Sequence, residues 1–308
     1  MYIEVRAGDR EWLAQVDAEI PAEWLHENLP LRLHAVQSEW SGQVMELFGK
    51  RVANPGKGVA PQPFQHAGQI VFSPALQRFA IAFGDGRWQD GFSVHPAIPV
   101  ARIDADLEDF EAFGKSLMFV GARPVDFSLV ADSALTHQKL EARIREQGRL
   151  VQLRIGTASA HAVLLEKSAP NLTASLARRL PLQGRAANTY SSGPLTRFWD
   201  SQGNEQGSTD LELDVDESTV ASSGRVLAAP GFIYYMPNKP YNGLRIAARS
   251  TTMMRSALPG ARGRTPLLPV AQFVGDWRAI ADAAENIRFT GALPLTLAHA
   301  PADVSAQT

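Results

Sequence analysis

The sequence predicts a mainly β protein with α-helices, built as two closed β-barrels in tandem, each with two capping helices. The first observation behind this is an internal repeat. Pro96–Leu129 recurs without a gap at Pro266–His299, 170 positions later. Pro96, Pro99, Val100, Ala101 and Asp106 meet Pro266, Pro269, Val270, Ala271 and Asp276, and Phe119, Gly121, Ala122 and Pro124 meet Phe289, Gly291, Ala292 and Pro294. The second is the order of patterns in each copy: strand, strand, short helix, several strands, second helix, final strand. A β-rich domain of this size avoids exposed edges by closing on itself.

Copy one opens with Tyr2–Arg6 and Glu11–Val16 around a turn at Gly8-Asp9. A short helix follows from Pro21, where a missing N–H costs nothing. Copy two repeats this with Leu150–Arg154, Gly156, Ala162–Leu165 and a helix from Pro170 with Leu172, Leu176 and Leu180 on one face. Leu29-Pro30-Leu31 and Leu180-Pro181-Leu182 are 151 apart, as are Gly42 and Gly193. Gly68–Pro74 matches Gly231–Pro237 at a shift of 163. The shift grows steadily, as one duplication with loop insertions in copy two requires. The second helices begin at Asp106 and Asp276, whose side chains suit an N-cap. Their apolar residues recur at three- and four-residue steps, which makes one face a cover for a barrel end. The final strands are Ala122–Val130 and Ala292–Ala298. The expected domains are residues 1–130 and 149–300, joined by a solvated linker helix over 131–148 and ending in a frayed tail at 301–308.

Composition narrows the function classes. A chain of 308 residues with 45% hydrophobic and 20% charged residues suits two globular domains. A net charge of -2 argues against nucleic acid as a partner. No apolar run reaches the roughly 18 residues of a membrane span, and the N-terminus lacks the basic and apolar regions of a signal peptide. The expectation is a cytoplasmic protein with no membrane partner. With no Cys there is no disulfide, thiolate metal site or cysteine nucleophile. The seven histidines show no metal-ligand spacing, and no Gly-x-Ser-x-Gly elbow or Gly-x-Gly-x-x-Gly loop occurs. No cofactor and no metal are expected.

Two helices per copy around an eight-stranded barrel resemble the cyclophilin-like fold. Trp40-Ser41-Gly42-Gln43 after Leu29-Pro30-Leu31, then Gly68–Pro74 and Phe79–Gly84, is similar to the uncharacterised bacterial cyclophilin-like proteins of the DUF3830 type. Neither copy has the Phe-His-Arg strand or Gln-Gly-Gly-Asp stretch of the prolyl isomerases of this fold, so their arginine has no counterpart here. Other barrels of this type belong to enzymes acting on cyclic amides and ureido acids. By analogy, the resemblance implies small-molecule chemistry, of hydrolase or isomerase type if it is enzymatic.

The candidate residues fall in two groups. His34 and Glu39, on or just after the third strand of copy one, are an acid–base pair if they share a pocket, although pleating puts His34 and Ser38 on one face and Glu39 on the other unless the strand bulges. Their counterparts Arg185 and Tyr190 suit an anion. In copy two the stretch from Lys239 to Arg264 holds Lys239, Arg245, Arg249, Arg255, Arg262 and Arg264 with no Asp or Glu, beside Tyr234, Tyr235 and Tyr241. Arginine forks bind carboxylate or phosphate bidentately. The competing reading pairs these cations with the acidic run Asp200–Glu217, where Leu211, Leu213 and Val215 alternate with Glu212, Asp214 and Asp216 as in a strand with one wet face. The expected function is binding or conversion of a small anionic, carboxylate- or amide-type molecule at copy two or at the seam of an intrachain pseudo-dimer, with a homo-oligomer also open. The alternatives are a non-catalytic ligand- or protein-binding module and a peptidyl-prolyl isomerase-like activity.

Overall fold

The computed structural model describes residues 1–38, 41–56, 60–89, 93–188, 195–200, 211–225, 227–237, 242–247, 252–253 and 266–301. The chain divides into two compact units, Met1–Arg143 and Ile144–Thr308. Each holds a closed eight-stranded antiparallel barrel.

The first barrel is made of β1 (Tyr2–Ala7), β2 (Arg10–Val16), β3 (Leu31–Gln37), β4 (Gly42–Gly49), β5 (Gln69–Ser73), β6 (Arg78–Gly86), β7 (Ile98–Ile103) and β8 (Arg123–Leu129). They close in the order β1-β2-β7-β5-β6-β4-β3-β8. Helix α1 (Ala22–Asn28) buries Trp24 and Leu25. Helix α2 (Leu107–Val120) buries Phe110, Phe113 and Leu117, and Phe110 meets Trp12 edge-on at 5.1 Å. Trp12 Nε1 also donates to Asp109 Oδ2 at 3.1 Å, fixing the helix to β2. Asp106 holds the N-cap position, but its side chain makes no cap bond and pairs instead with Arg143 at 3.1 Å.

Helix α3 (Ser133–Arg145) is less solvated than its charges suggest. Leu140 and Ile144 are buried while Leu135 is exposed, and Tyr2 OH lies 2.6 Å from His137 Nδ1. A buried apolar pair outweighs the charged remainder of a helix, because only one face needs cover.

The second barrel repeats the circuit with β9 (Leu150–Ile155), β10 (Ala158–Leu164), β11 (Leu182–Asn188), β12 (Leu195–Asp200), β14 (Phe232–Met236), β15 (Gly243–Ala247), β17 (Leu268–Val274) and β18 (Leu293–His299), in the order β10-β17-β14-β15-β12-β11-β18-β9. Outside it, β13 (Leu227–Ala228) pairs with β16 (Thr252–Met253). Helices α4 (Pro170–Arg178) and α6 (Arg278–Thr290) match α1 and α2. A further helix, α5 (Glu217–Ser223), has no counterpart among the described residues of the first barrel. In α6 the N-cap is Trp277, and Asp276, one residue earlier, accepts from Arg278 N at 3.0 Å.

The alternating run at Leu211–Asp216 is not a strand. Leu211 and Leu213 are buried in the barrel core as the alternation requires, but the backbone is held by side chains. Tyr235 OH donates to Leu211 O at 3.0 Å and accepts from Leu213 N at 3.2 Å, and Asp214 N donates to Ser175 Oγ at 3.0 Å. Alternation reports which side is buried, not which ladder the backbone joins.

Helix α2 approaches β6 closely because it carries Gly114. A Cβ there would stand 2.2 Å from Cγ of the buried Phe83. Gly114→Ala gains about 1 kcal/mol of helix propensity, whereas forcing the ring aside costs about 1–3 kcal/mol. The expected net result is a lower urea midpoint for the first barrel.

Candidate functional site

In the second barrel Phe198, Ile233, Tyr235, Leu244 and Ile246 belong to the interior core. Pleating therefore turns Arg197, Trp199, Tyr234 and Arg245 to the outer face. Arg197 stands directly opposite Arg245 in the β12–β15 pairing, and Tyr234 opposite Arg245 in the β14–β15 pairing. On the other side, Trp199 is opposite Arg185 of β11. The row Arg185, Trp199, Arg197, Arg245, Tyr234 thus crosses four strands on one surface.

The two central arginines are not surface residues. Arg197 is 3% exposed and Arg245 is 2% exposed. Arg197 stacks on Trp199 with its guanidinium carbon 4.1 Å from the ring centroid, and Arg245 Nη1 donates to Leu244 O at 2.9 Å. Burial, and then the charge of Arg197, pulls Arg245 down to about 9, which leaves it cationic at neutral pH. Two guanidiniums set opposite each other in low dielectric repel one another, a repulsion that nearby negative charge relieves.

The other expected residues are placed as follows. Tyr234 OH accepts from Ala229 N at 2.7 Å, so its ring is fixed by backbone. Tyr235 points into the barrel and clamps the 211–213 backbone rather than facing Arg245. Arg185 is exposed and donates through Nη2 to Ala292 O at 2.8 Å. Tyr190, Lys239 and Arg249 lie outside the described residues, and so does Glu39. His34 is exposed on the outer face of β3, opposite Phe48 and Pro124. Two carboxylates share its face, Glu46 opposite Val36 and Asp126 opposite Arg32, the latter paired with Arg32 at 3.2 Å. Glu46 Oε1 accepts from Ser38 Oγ at 2.9 Å, and Ser38 Oγ lies 2.6 Å from Ser41 Oγ, which accepts from Gln89 N at 3.0 Å.

Of the acidic run, Asp214 pairs with Arg178 of α4 at 2.8 Å. Asp216 caps α5 by accepting from Thr219 N at 2.6 Å, and it is held well below the usual carboxylate range, first by the Ser218 hydroxyl and then by Asn171 and Thr219. Among the described residues no group of three or more His, Asp or Glu is placed to hold a metal ion.

The residues that the sequence reading passed over are Arg197 and Trp199. Their signal was present: a tryptophan two residues from an arginine, alternating with core Phe198, where copy one has Glu46 and Phe48. In the first barrel the positions of Arg197, Arg245 and Tyr234 are taken by Glu46, Ala80 and Val71, which stand in the same mutual register. Val71 and Ala80 pack with Val44, Ala82 and Ala97 beneath Trp88. Barrel one has an apolar lid where barrel two has cations. The interior of barrel one holds a cavity of about 20 Å³ lined by apolar side chains including Trp24, Phe79 and Phe127, room for no more than a water-sized occupant.

No protein-family model matches this chain, and no curated protein matches it. Among solved structures it is similar to McbB in complex with tryptophan, at 18% identity, a TM-score of 0.32, and coverage of 47% of this chain and 54% of that one. It is also similar to the hypothetical protein AF2241 from Archaeoglobus fulgidus, at 12% identity, a TM-score of 0.33, and coverage of 50% of this chain and 96% of that one. The match therefore takes in about half the length of the McbB chain, and neither likeness bears on what this chain binds.

Proposed function

We propose that the second barrel recognises a small anionic molecule, carboxylate-bearing or amide-type, on its outer face, with Arg197 and Arg245 as the anion-binding pair. One observation carries this: two arginines directly opposite each other across β12 and β15, both almost fully buried. A guanidinium pair in low dielectric is matched by a carboxylate, whose two oxygens can accept from both forks. Trp199, half-buried, borders the pair and offers aromatic surface to the remainder of such a ligand, with the buried Tyr234 ring on the other side of Arg245. Lys239 and Arg249, close to β15 in sequence, would add positive charge. The cyclophilin-like resemblance accords with a closed barrel that carries its site on the wall. The support is for recognition rather than for a particular reaction.

The test is a thermal-shift and calorimetric titration of the full chain with small carboxylic acids, ureido acids, cyclic amides and a proline peptide. A ligand that binds only the native state stabilises it by about 2.7 kcal/mol at 100 times its dissociation constant. One anionic class is expected to raise the midpoint, and Arg245→Ala and Arg197→Ala are each expected to abolish that rise while His34→Ala keeps it. No response to any acid, or equal loss in His34→Ala, would overturn the assignment.

A further inference from the structure

The two barrels have diverged at exposed and outward-facing positions, His34 against Arg185 and Glu46 against Arg197 among them. Among the exposed large apolar side chains of the described residues, one position is the same in both copies. Phe119 in the last turn of α2 is 85% exposed, and Phe289 at the matching place in α6 is 77% exposed. Packing does not account for either, since the buried faces are carried by Phe110, Phe113 and Leu117 in α2 and by Ile280, Ala284 and Ile287 in α6. Nor does the chain reversal. Gly121 and Gly291, with φ of 70° and 84°, make that turn whichever residue stands two places before.

An arginine donates to the backbone of the turn after each helix, supplied differently in the two copies. Arg123 of β8 donates through Nη1 to Ala122 O at 3.0 Å. At the equivalent carbonyl, Ala292 O, the donor is Arg185 of β11, at 2.8 Å. Arg288 lies over the Phe289 ring at 5.1 Å. In the first barrel Met118 and Val120 extend the apolar tip, at 65% and 44% exposure. Both copies therefore carry an exposed ring in the last turn of the second helix and an arginine bonded to the turn that follows it.

We propose that these tips are peripheral contacts for an anionic phospholipid surface. Phe119 with Met118 and Val120, and separately Phe289, would enter the boundary between headgroups and acyl chains, while Arg123, Arg185 and Arg288 meet phosphodiesters. Charge complementarity selects the occupant, because a second copy of the chain laid tip to tip would set guanidinium against guanidinium. Size agrees. A stable protein interface covers about 800 Å² on each partner, far more than one to three side chains offer, whereas a bilayer boundary needs no complementary shape. Each tip combines apolar insertion with positive charge, the two signals that peripheral attachment uses. No helix among the described residues is long and apolar enough to cross a membrane, and this contact needs none.

The experiment is co-sedimentation of the full chain with phosphatidylcholine vesicles, with and without phosphatidylglycerol, at low and high salt. Binding is expected only with phosphatidylglycerol, weakening as salt rises. The double variant Phe119→Ser with Phe289→Ser is expected to lower the bound partition about tenfold, and Arg123→Gln to reduce the salt dependence. Both rings are exposed, so an unchanged thermal midpoint will show that the double variant still folds, and a Phe→Leu pair should recover part of the binding. Absence of sedimentation, equal binding to neutral vesicles, or full binding by the double variant would overturn the proposal. So would a concentration-dependent dimer that the double variant loses.

Discussion

Trp88→Ala is expected to lower the stability of the first barrel by about 3–5 kcal/mol, the range for truncating a fully buried large aromatic side chain. The indole is 0% exposed and lies on the outer face of the barrel against Val44, Val71, Ala80, Ala82 and Ala97. Three of those five neighbours are alanines, whose short side chains cannot swing in to fill the space. The backbone at this point is also anchored, with Trp88 N donating to Gln65 Oε1 at 2.8 Å, so the loop cannot follow the lost volume inward. Calorimetry of the full chain, with hydrogen exchange to assign the transition to β4, β5 and β6, will measure the loss. A cost under about 1 kcal/mol would mean that the cluster collapses around the gap. The same variant separates stability from recognition. Ala80 lies beneath the lid and Glu46 stands opposite it in the sheet, where barrel two has Arg245 and Arg197, so uncovering this face should confer no response to organic acids.

Acid is expected to weaken the same barrel through His66. This imidazole is 3% exposed, its Nδ1 lies 3.0 Å from Ala67 O, and Gln69 Oε1 accepts from its backbone N–H at 3.3 Å. Burial first, and then the charge of Arg102, pushes it down to about 3, against the weaker opposing effect of the Ala67 carbonyl. Arg102 is itself paired with Asp104, whose charge is one of the influences that raise Tyr2. Between pH 6.5 and about 3 the unfolded chain holds a proton on His66 that the folded chain does not. Stability therefore falls as pH falls through that window, by up to about 1.4 kcal/mol per unit from this one group. Above pH 6.5 both states are neutral at His66 and the effect vanishes. In His66→Gln, a neutral replacement that keeps an N–H donor, urea unfolding between pH 7 and 4 is expected to show a slope shallower by about one proton. An unchanged slope would place the acid sensitivity on other groups.

Much of this architecture can be read from local pattern. The duplication shows in single residues such as Pro99 and Pro269 or Gly121 and Gly291, because turns and barrel closure make narrow demands on backbone shape and each copy must meet them independently. Apolar steps in α2 and α6 mark the faces they bury, and strand alternation names Leu31, Leu33 and Ala35 as inward without any knowledge of their partners.

What pattern could not supply is adjacency. Arg197 and Arg245 are 48 positions apart, and nothing local says that β12 and β15 become neighbours or that their register sets one arginine opposite the other. Glu46, rather than a residue next to His34 in the chain, shares the His34 face for the same reason: β4 runs antiparallel to β3 and returns its outward side chains beside it. Tyr234 and Tyr235, adjacent in sequence, were divided by the pleat, one to the wall and one to the interior, where its hydroxyl met the 211–213 backbone. The sequence by itself determined the two barrels, the two helices that each copy repeats and the turns between them, since these follow from periodicity and turn chemistry within a few residues. Tertiary structure alone decided which outward residues meet, because closure and strand register bring distant segments together and only then does burial make neighbouring charges matter.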